Sequence, residues 1–410
     1  MAVRPVLVPL VAAIVLAASI GPASARRVVP AGEARHYPIY DPDRRAMTAF
    51  HKSLRRTSRG FGQTRILQYG ASHTEADLFT GYLRQFYQHR FGDAGHGYVM
   101  PARPWRGYRH MDVALDSSDG WFTDKAYRKS GRKDGLHGLA GFSCSSDSKD
   151  DWAFVSTSTK SAFGRRVSRF DVAYLQQPGG GRFHILVDGK RHSTISTRAR
   201  EVGLGTKVVR VADGEHNLKI EVVGDGEVRL LGIVMERGAP GVVMDSLGIR
   251  GARASVLLKW NPELWRAQIR RRAPDLVMLA YGTNESGDTK YPIAKYERKL
   301  SRVLANLRQA VPTASCLLIG PTDRPVKTRR GAKHRPRIDD VVAVQRRQAV
   351  LHGCGFWDAY AAMGGKLSIV RWNRAEPKLA KADFVHLTAR GYYALADDLA
   401  HALLDGYRPQ

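Results

Sequence analysis

Ser72 stands in Gly70-Ala71-Ser72-His73, two residues beyond the run RILQYG (65–70). A serine there is either the N-cap of the helix that follows or a nucleophile polarised by that helix N-terminus. As a nucleophile it needs a base, and the base needs an acid to fix its tautomer. Asp383-Phe-Val-His386 offers both, just before the last helical segment. The spacing D-x-x-H alone selects nothing, because it recurs at Asp93/His96, Asp134/His137, Asp213/His216 and Asp398/His401. Position discriminates: the Asp213 pair falls at a hairpin turn, the Asp398 pair inside a helix, and the Asp383 pair in a loop opening a helix. Negative charge developing on an attacked carbonyl oxygen needs N–H donors aimed at it. Gly251, closing Gly248-Ile-Arg-Gly251, has an unobstructed backbone N–H, and Asn284 in Gly282-Thr-Asn-Glu285 has a neutral side-chain one. Each also reads as turn chemistry. With Thr74 where G-x-S-x-G would have its last glycine, Ser72 is not on an α/β-hydrolase elbow. No H-E-x-x-H and no Cys/His cluster is present, so the expected chemistry is acyl transfer with no metal and no cofactor.

These residues need a frame. RILQYG reads as a short buried strand, and Leu78, Phe79, Tyr82, Leu83 and Phe86 then recur at helical spacing until the glycine-rich FGDAGHGYVMPARPW. From about Trp121 to Arg237 the period is two: Phe170, Val172, Tyr174; Phe183, Ile185, Val187; Leu218, Ile220, Val222. Asp188-Gly189, Asp213-Gly214 and Asp225-Gly226 punctuate these runs, which predicts an antiparallel β-sandwich of jelly-roll type. Beyond Gly238, LVMLAYG and CLLIGP read as strands of a parallel sheet covered on both faces. Helices are predicted through Ile293–Leu307, around Val341–Leu351 and from about Thr388 to Leu404, with a short strand in GFWDAY. The β-rich zone therefore reads as inserted into an α/β domain. The expected organisation is a signal peptide over 1–25, α/β segments over 26–110 and 239–410, and the sandwich over 111–238.

Lys+Arg number 65 against 38 Asp+Glu, a net charge of +27. Such an excess points to an anionic partner. Arg4, an apolar stretch from Val6 to Ile20 and Ala23-Ser24-Ala25 have the form of a secretory signal, which places the chain in the periplasm or outside the cell. There the expected partner is an acidic polysaccharide and not nucleic acid, and no later stretch is apolar enough to span a membrane. The densest basic run, RPVKTRRGAKHRPR (324–337), contains no acid. It is either a solvated loop or a rim that gathers an anionic glycan. Trp105, Tyr108, Trp121 and Trp152 are candidates for sugar stacking, with core packing the alternative. Cys316 and Cys354 begin neighbouring strand-like segments and are within disulfide reach if those strands pair in parallel, leaving Cys144 free.

Taken in order, Gly70-Ala71-Ser72, Gly248–Gly251, Gly282-Thr-Asn284 and Asp383-Phe-Val-His386 resemble blocks I, II, III and V of the SGNH (GDSL) hydrolases. Ser72-His73 followed by a helix and GYVMPARPW is similar to the peptidoglycan O-acetylesterase branch. The resemblance implies a flavodoxin-like three-layer α/β/α domain with an inserted, carbohydrate-binding-module-like sandwich. It further implies a Ser72–His386–Asp383 triad, an oxyanion hole from the N–H groups of Ser72, Gly251 and Asn284, and removal of O-acetyl groups from a polysaccharide, peptidoglycan first. An O-acetyltransferase and an inactive glycan-binding protein on the same scaffold are the alternatives. This chain departs from the family at Ala71, where block I has aspartate, and at Glu285, where aspartate usually follows the block III asparagine.

Overall fold

The computed structural model describes residues 36–126 and 131–409; the expected signal peptide lies outside them. Five parallel strands form the central sheet in the spatial order Gly241–Gly248, Gln63–Gly70, Leu276–Ala280, Ser315–Ile319, Gly355–Trp357. In chain order this is 2-1-3-4-5, the flavodoxin-like arrangement. Leu276–Ala280 is a continuous apolar run because both faces are covered, while the two strands that precede it in the order bury Thr64, Gln68, Asp245 and Ser246 among their apolar residues. Leu67, Val277 and Leu318 join one hydrophobic cluster with the helices Pro262–Arg272, Ile293–Ala310 and Arg337–Leu351. Their neighbours Ile66, Met278 and Leu317 join the other, with Thr48–Ser58, Leu78–Phe91 and Ala389–Ala402. The period-two alternation thus assigns each residue to one of two helical layers.

Between the first two parallel strands the chain builds two antiparallel sheets. One runs Gly203–Gly214, Val167–Gln176, Val228–Glu236, Phe142–Ser146, Phe122–Lys125; the other runs Val113–Ser117, Trp152–Thr157, Asn217–Val222, Arg182–Val187, Lys190–Ser196. They face each other across apolar side chains, as where the Tyr174 and Phe183 rings meet edge to face at 5.4 Å. Gly97–Val99, within the stretch expected to do no more than end a helix, is a strand paired to Ile233–Met235.

Asp188-Gly189 is a hairpin turn, as expected. Asp213-Gly214 is not: the strand before it pairs in one sheet and the strand after it in the other. Local turn chemistry specifies a change of direction, while the partners are set by packing: Asn217–Val222 fills the place between Trp152–Thr157 and Arg182–Val187. The same crossing occurs at Asp225-Gly226.

A buried ion network joins the layers. Glu236 pairs with Arg65 of the central sheet at 3.1 Å, with Arg169 of the sandwich at 3.0 Å and with Arg272 at 2.7 Å. Burial alone would raise this carboxyl, but Arg272 and Arg65 hold it at about 2. Cys316 and Cys354 are joined by a disulfide, their strands pairing in parallel at Leu317–Gly355, and Cys144 is buried as a thiol. Among the described residues no helix is long and apolar enough to cross a membrane.

Candidate active site

The strand order reverses beside Gln63–Gly70, and in open α/β sheets ligands gather outside the carboxyl ends of strands at such a point. Ser72 lies just beyond that strand. It is not an N-cap: Ala71 holds the cap position, and Ser72 is the first residue of the short helical turn Ser72–Glu75. The turn is pressed against the strand ends, so that a Cβ on Gly70 would collide with the Thr74 side chain and one on Gly248 with the Glu75 backbone nitrogen. Gln68 Nε2 donates to Thr74 Oγ1 at 3.1 Å and Ser246 Oγ donates to the Thr74 carbonyl at 3.0 Å. The buried Ala71 thus sits in a turn braced by its neighbours without the block I carboxylate.

The loop before the last helix brings its pair to this serine. Ser72 Oγ lies 3.0 Å from His386 Nε2, and His386 Nδ1 lies 2.7 Å from Asp383 Oδ2. The second carboxylate oxygen, Asp383 Oδ1, accepts the backbone N–H groups of Val385 at 3.0 Å and His386 at 2.9 Å. Burial pushes the Asp383 carboxyl up, but these hydrogen bonds win and bring it down to about 2. With the carboxylate ionised, Nδ1 carries the imidazole proton and Nε2 is left to accept from the serine hydroxyl.

Gly251 occupies the third place of a turn closed by Ala252 N–H on the Ile249 carbonyl at 3.0 Å, and its φ of +77° is the region that favours glycine. Ile249 N–H bonds the Gly70 carbonyl at 3.0 Å, which seats this turn beside Ser72. Asn284 Nδ2 donates to the Ala252 carbonyl at 2.8 Å, so the two loops expected to supply oxyanion donors are tied together. Among the described residues neither the Ser72 nor the Gly251 N–H has a backbone acceptor. Glu285 explains its own departure from the family pattern. Its carboxylate, 6% exposed, accepts Ala254 N–H at 2.8 Å and Gly282 N–H at 3.0 Å, one from each loop.

Several neighbours were not singled out from sequence. His73 touches Tyr392 Oη through Nδ1 at 2.8 Å and Thr322 Oγ1 through Nε2 at 3.2 Å, with its ring 5.6 Å from that of His386. Burial, and then His386, lower its pKa to about 3, so it stays neutral beside His386. Glu75 is buried and accepts Trp105 Nε1 at 2.9 Å and Arg250 at 3.2 Å, which gives Trp105 a hydrogen-bonding duty. Tyr108 and Trp121 are core residues. A sequence signal existed for Tyr392, four residues into the helix after Thr388, but none linked Glu75 to Trp105.

Asp77, His96 and His110, and likewise Asp124, Asp134 and His137, bring potential metal-ligand atoms together. A guanidinium already sits in each group, Arg84 at 2.9 Å from Asp77 and Arg229 at 3.2 Å from Asp124, and meets the charge a cation would. Both read as structural ion networks.

The 2-1-3-4-5 sheet order and the loops converging at its carboxyl edge have the form of an SGNH-type α/β/α domain. Residues 223–394 match the GDSL-like lipase/acylhydrolase family. Over 91% of this chain and 99% of the other, the fold superposes on a peptidoglycan O-acetylesterase with a TM-score of 0.75 and 27% identity. Family match and structural likeness together support an esterase. An acetyl xylan esterase, AlAXEase, covers 39% of this chain and 80% of its own at 20% identity and TM-score 0.30. A family two carbohydrate esterase from Clostridium thermocellum covers 70% of this chain and 100% of its own at 13% and 0.30. Neither of these two is similar enough to carry an argument. No curated protein matches the chain.

Proposed function

We propose that this chain is an exported serine esterase that removes O-acetyl groups from a polysaccharide, with peptidoglycan as first candidate. The observation that carries the reading is the hydrogen-bond chain from Ser72 through His386 to Asp383 at 3.0 and 2.7 Å. The likeness to a peptidoglycan O-acetylesterase over 91% of this chain supports the substrate class. The N-terminal apolar stretch, outside the described residues, supports export.

In this mechanism His386 Nε2 takes the Ser72 proton as Oγ attacks the acetyl carbonyl carbon. The tetrahedral oxyanion is met by the N–H groups of Ser72, Gly251 and Asn284. The C–O bond to the sugar breaks, His386 returns its proton to the departing sugar oxygen, and acetyl-Ser72 remains. Water, deprotonated by the same nitrogen, then releases acetate and restores the serine. Asp383 stays ionised throughout and stabilises the imidazolium formed in each half-reaction.

The test is acetate release from O-acetylated peptidoglycan, with O-acetylated alginate and acetyl-xylan as controls and Ser72→Ala beside the native chain. Release from peptidoglycan that Ser72→Ala lowers by several orders of magnitude is the expected result. Release from acetyl-xylan alone overturns the peptidoglycan assignment. Acetyl appearing on a second glycan assigns a transferase, and glycan binding with no acetyl moved assigns an inactive binding protein.

A further inference from the structure

The basic run 324–337 is an ordered part of the structure: Val326–Thr328 pairs antiparallel with Gly331–Lys333, with Arg329-Arg330 as its turn. Its cations divide by what they do. Arg324 donates to the Thr283 carbonyl at 2.8 Å, next to Asn284, and Arg335 donates to the Arg324 carbonyl at 3.0 Å. Lys327 Nζ donates to the Ala382 carbonyl at 2.9 Å and sits 5.2 Å from the centre of the Phe384 ring. Ala382 and Phe384 flank Asp383, so the hairpin base is fastened to the asparagine loop on one side and to the Asp383–His386 loop on the other.

Arg337 donates to the Tyr291 carbonyl. Of the other cations, Arg329 and Arg330 are exposed at the tip and Lys333 is exposed at the end of the second strand, opposite Val326, and among the described residues no acid pairs with these three. Lys381, two residues before Asp383, is also exposed, its N–H bonding the His386 carbonyl at 2.8 Å. Exposed like charges held together raise a local positive potential that draws an anionic partner. Arginines also match carboxylate geometry in pairs of hydrogen bonds.

From this placement we propose that the hairpin Val326–Lys333 is the docking element for a carboxylate-bearing polysaccharide, and that Lys327 is the positioning residue that holds it to the triad loop. The inference rests on the esterase reading for its substrate but not for its test. The tip draws the anionic strand over roughly one Debye length, ~8 Å at physiological salt. The anchored base delivers that strand to the serine between the two loops it grips.

Binding is measured in the Ser72→Ala background, where nothing turns over, with polygalacturonate as the anionic probe and xylan as the neutral one. Polygalacturonate should bind more tightly than xylan and lose affinity as salt is added. Arg329→Gln/Arg330→Gln/Lys333→Gln should weaken polygalacturonate about tenfold and flatten its salt dependence, leaving the melting temperature unchanged. Equal affinity in this triple variant and the parent, or xylan bound as tightly as polygalacturonate, overturns the docking element. In the native background, Lys327→Met should lower kcat for p-nitrophenyl acetate several-fold with KM unmoved, and Lys327→Arg should restore it. A kcat that Lys327→Met does not move overturns the positioning role. Tip-dependent polygalacturonate binding by a chain that hydrolyses no p-nitrophenyl acetate would sink the esterase reading and leave the docking element standing.

Discussion

Asp383 divides its two oxygens between His386 Nδ1 and the backbone of its own loop. In Asp383→Asn the amide cannot serve both, and the imidazole loses the acceptor that fixes its tautomer. Turnover of p-nitrophenyl acetate should fall roughly 10³–10⁴-fold with the fold intact, which stopped assay and circular dichroism together check. Asn284→Ala should cost less, on the order of 10²–10³ in kcat, because it removes one oxyanion donor and leaves the nucleophile in place. A kcat unchanged in that variant removes Asn284 from the site. The acid side of Asp383 has a definite sign. Its pKa falls from 3.8 to about 2 on folding, so the stabilisation it gives is present above pH 4 and is lost as pH drops toward 2.

The short turn Ser72–Glu75 depends on elements that touch it. Gly248 ends the neighbouring strand where any Cβ meets the Glu75 backbone nitrogen. Gly248→Ala should therefore displace the turn, costing about 1–3 kcal/mol in urea unfolding and more than tenfold in esterase activity. A variant as stable and active as the parent would show that the strand end yields instead. The disulfide acts at the same scale, closing a 38-residue separation between Cys316 and Cys354. Cys316→Ser/Cys354→Ser should lose about 2–4 kcal/mol in equilibrium unfolding. Thiol titration of the unfolded, unreduced chain should find one reactive group, Cys144; three would refute the pairing.

Across the whole molecule, burial keeps histidines neutral: His51, His73, His96, His110 and His137 all titrate below the ordinary value. The unfolded chain protonates these rings first, so stability must fall as pH drops below 6.5. His110, lowered to about 4, accounts for on the order of 2 kcal/mol of this loss by pH 5. The melting temperature should decline between pH 6.5 and 5, and His110→Gln should flatten that decline. An unchanged slope would mean that the ring gains its proton in the folded state too.

How far the sequence speaks for itself follows from the range of the forces involved. The continuous apolar runs LVMLAYG and CLLIGP, and helical spacing after Leu78, marked the parallel sheet and its helices, because burial on both faces or on one stripe imposes those patterns locally. Ser72, Gly251, Asn284 and the Asp383–His386 pair were legible because each stands at a break between such elements and their order resembles a known family. The tertiary structure alone decided that Asp213-Gly214 crosses between sheets, that Gly97–Val99 joins the sandwich, and that Glu285 ties two loops. It also set Tyr392 and Thr322 on His73 beside His386 and divided the cations of 324–337 into anchors and an unpaired set. These are pairings between groups tens to hundreds of residues apart, and no local pattern encodes which carbonyl a lysine will find. The residue types limit what chemistry is available; the packing of distant segments selects the partners that carry it out.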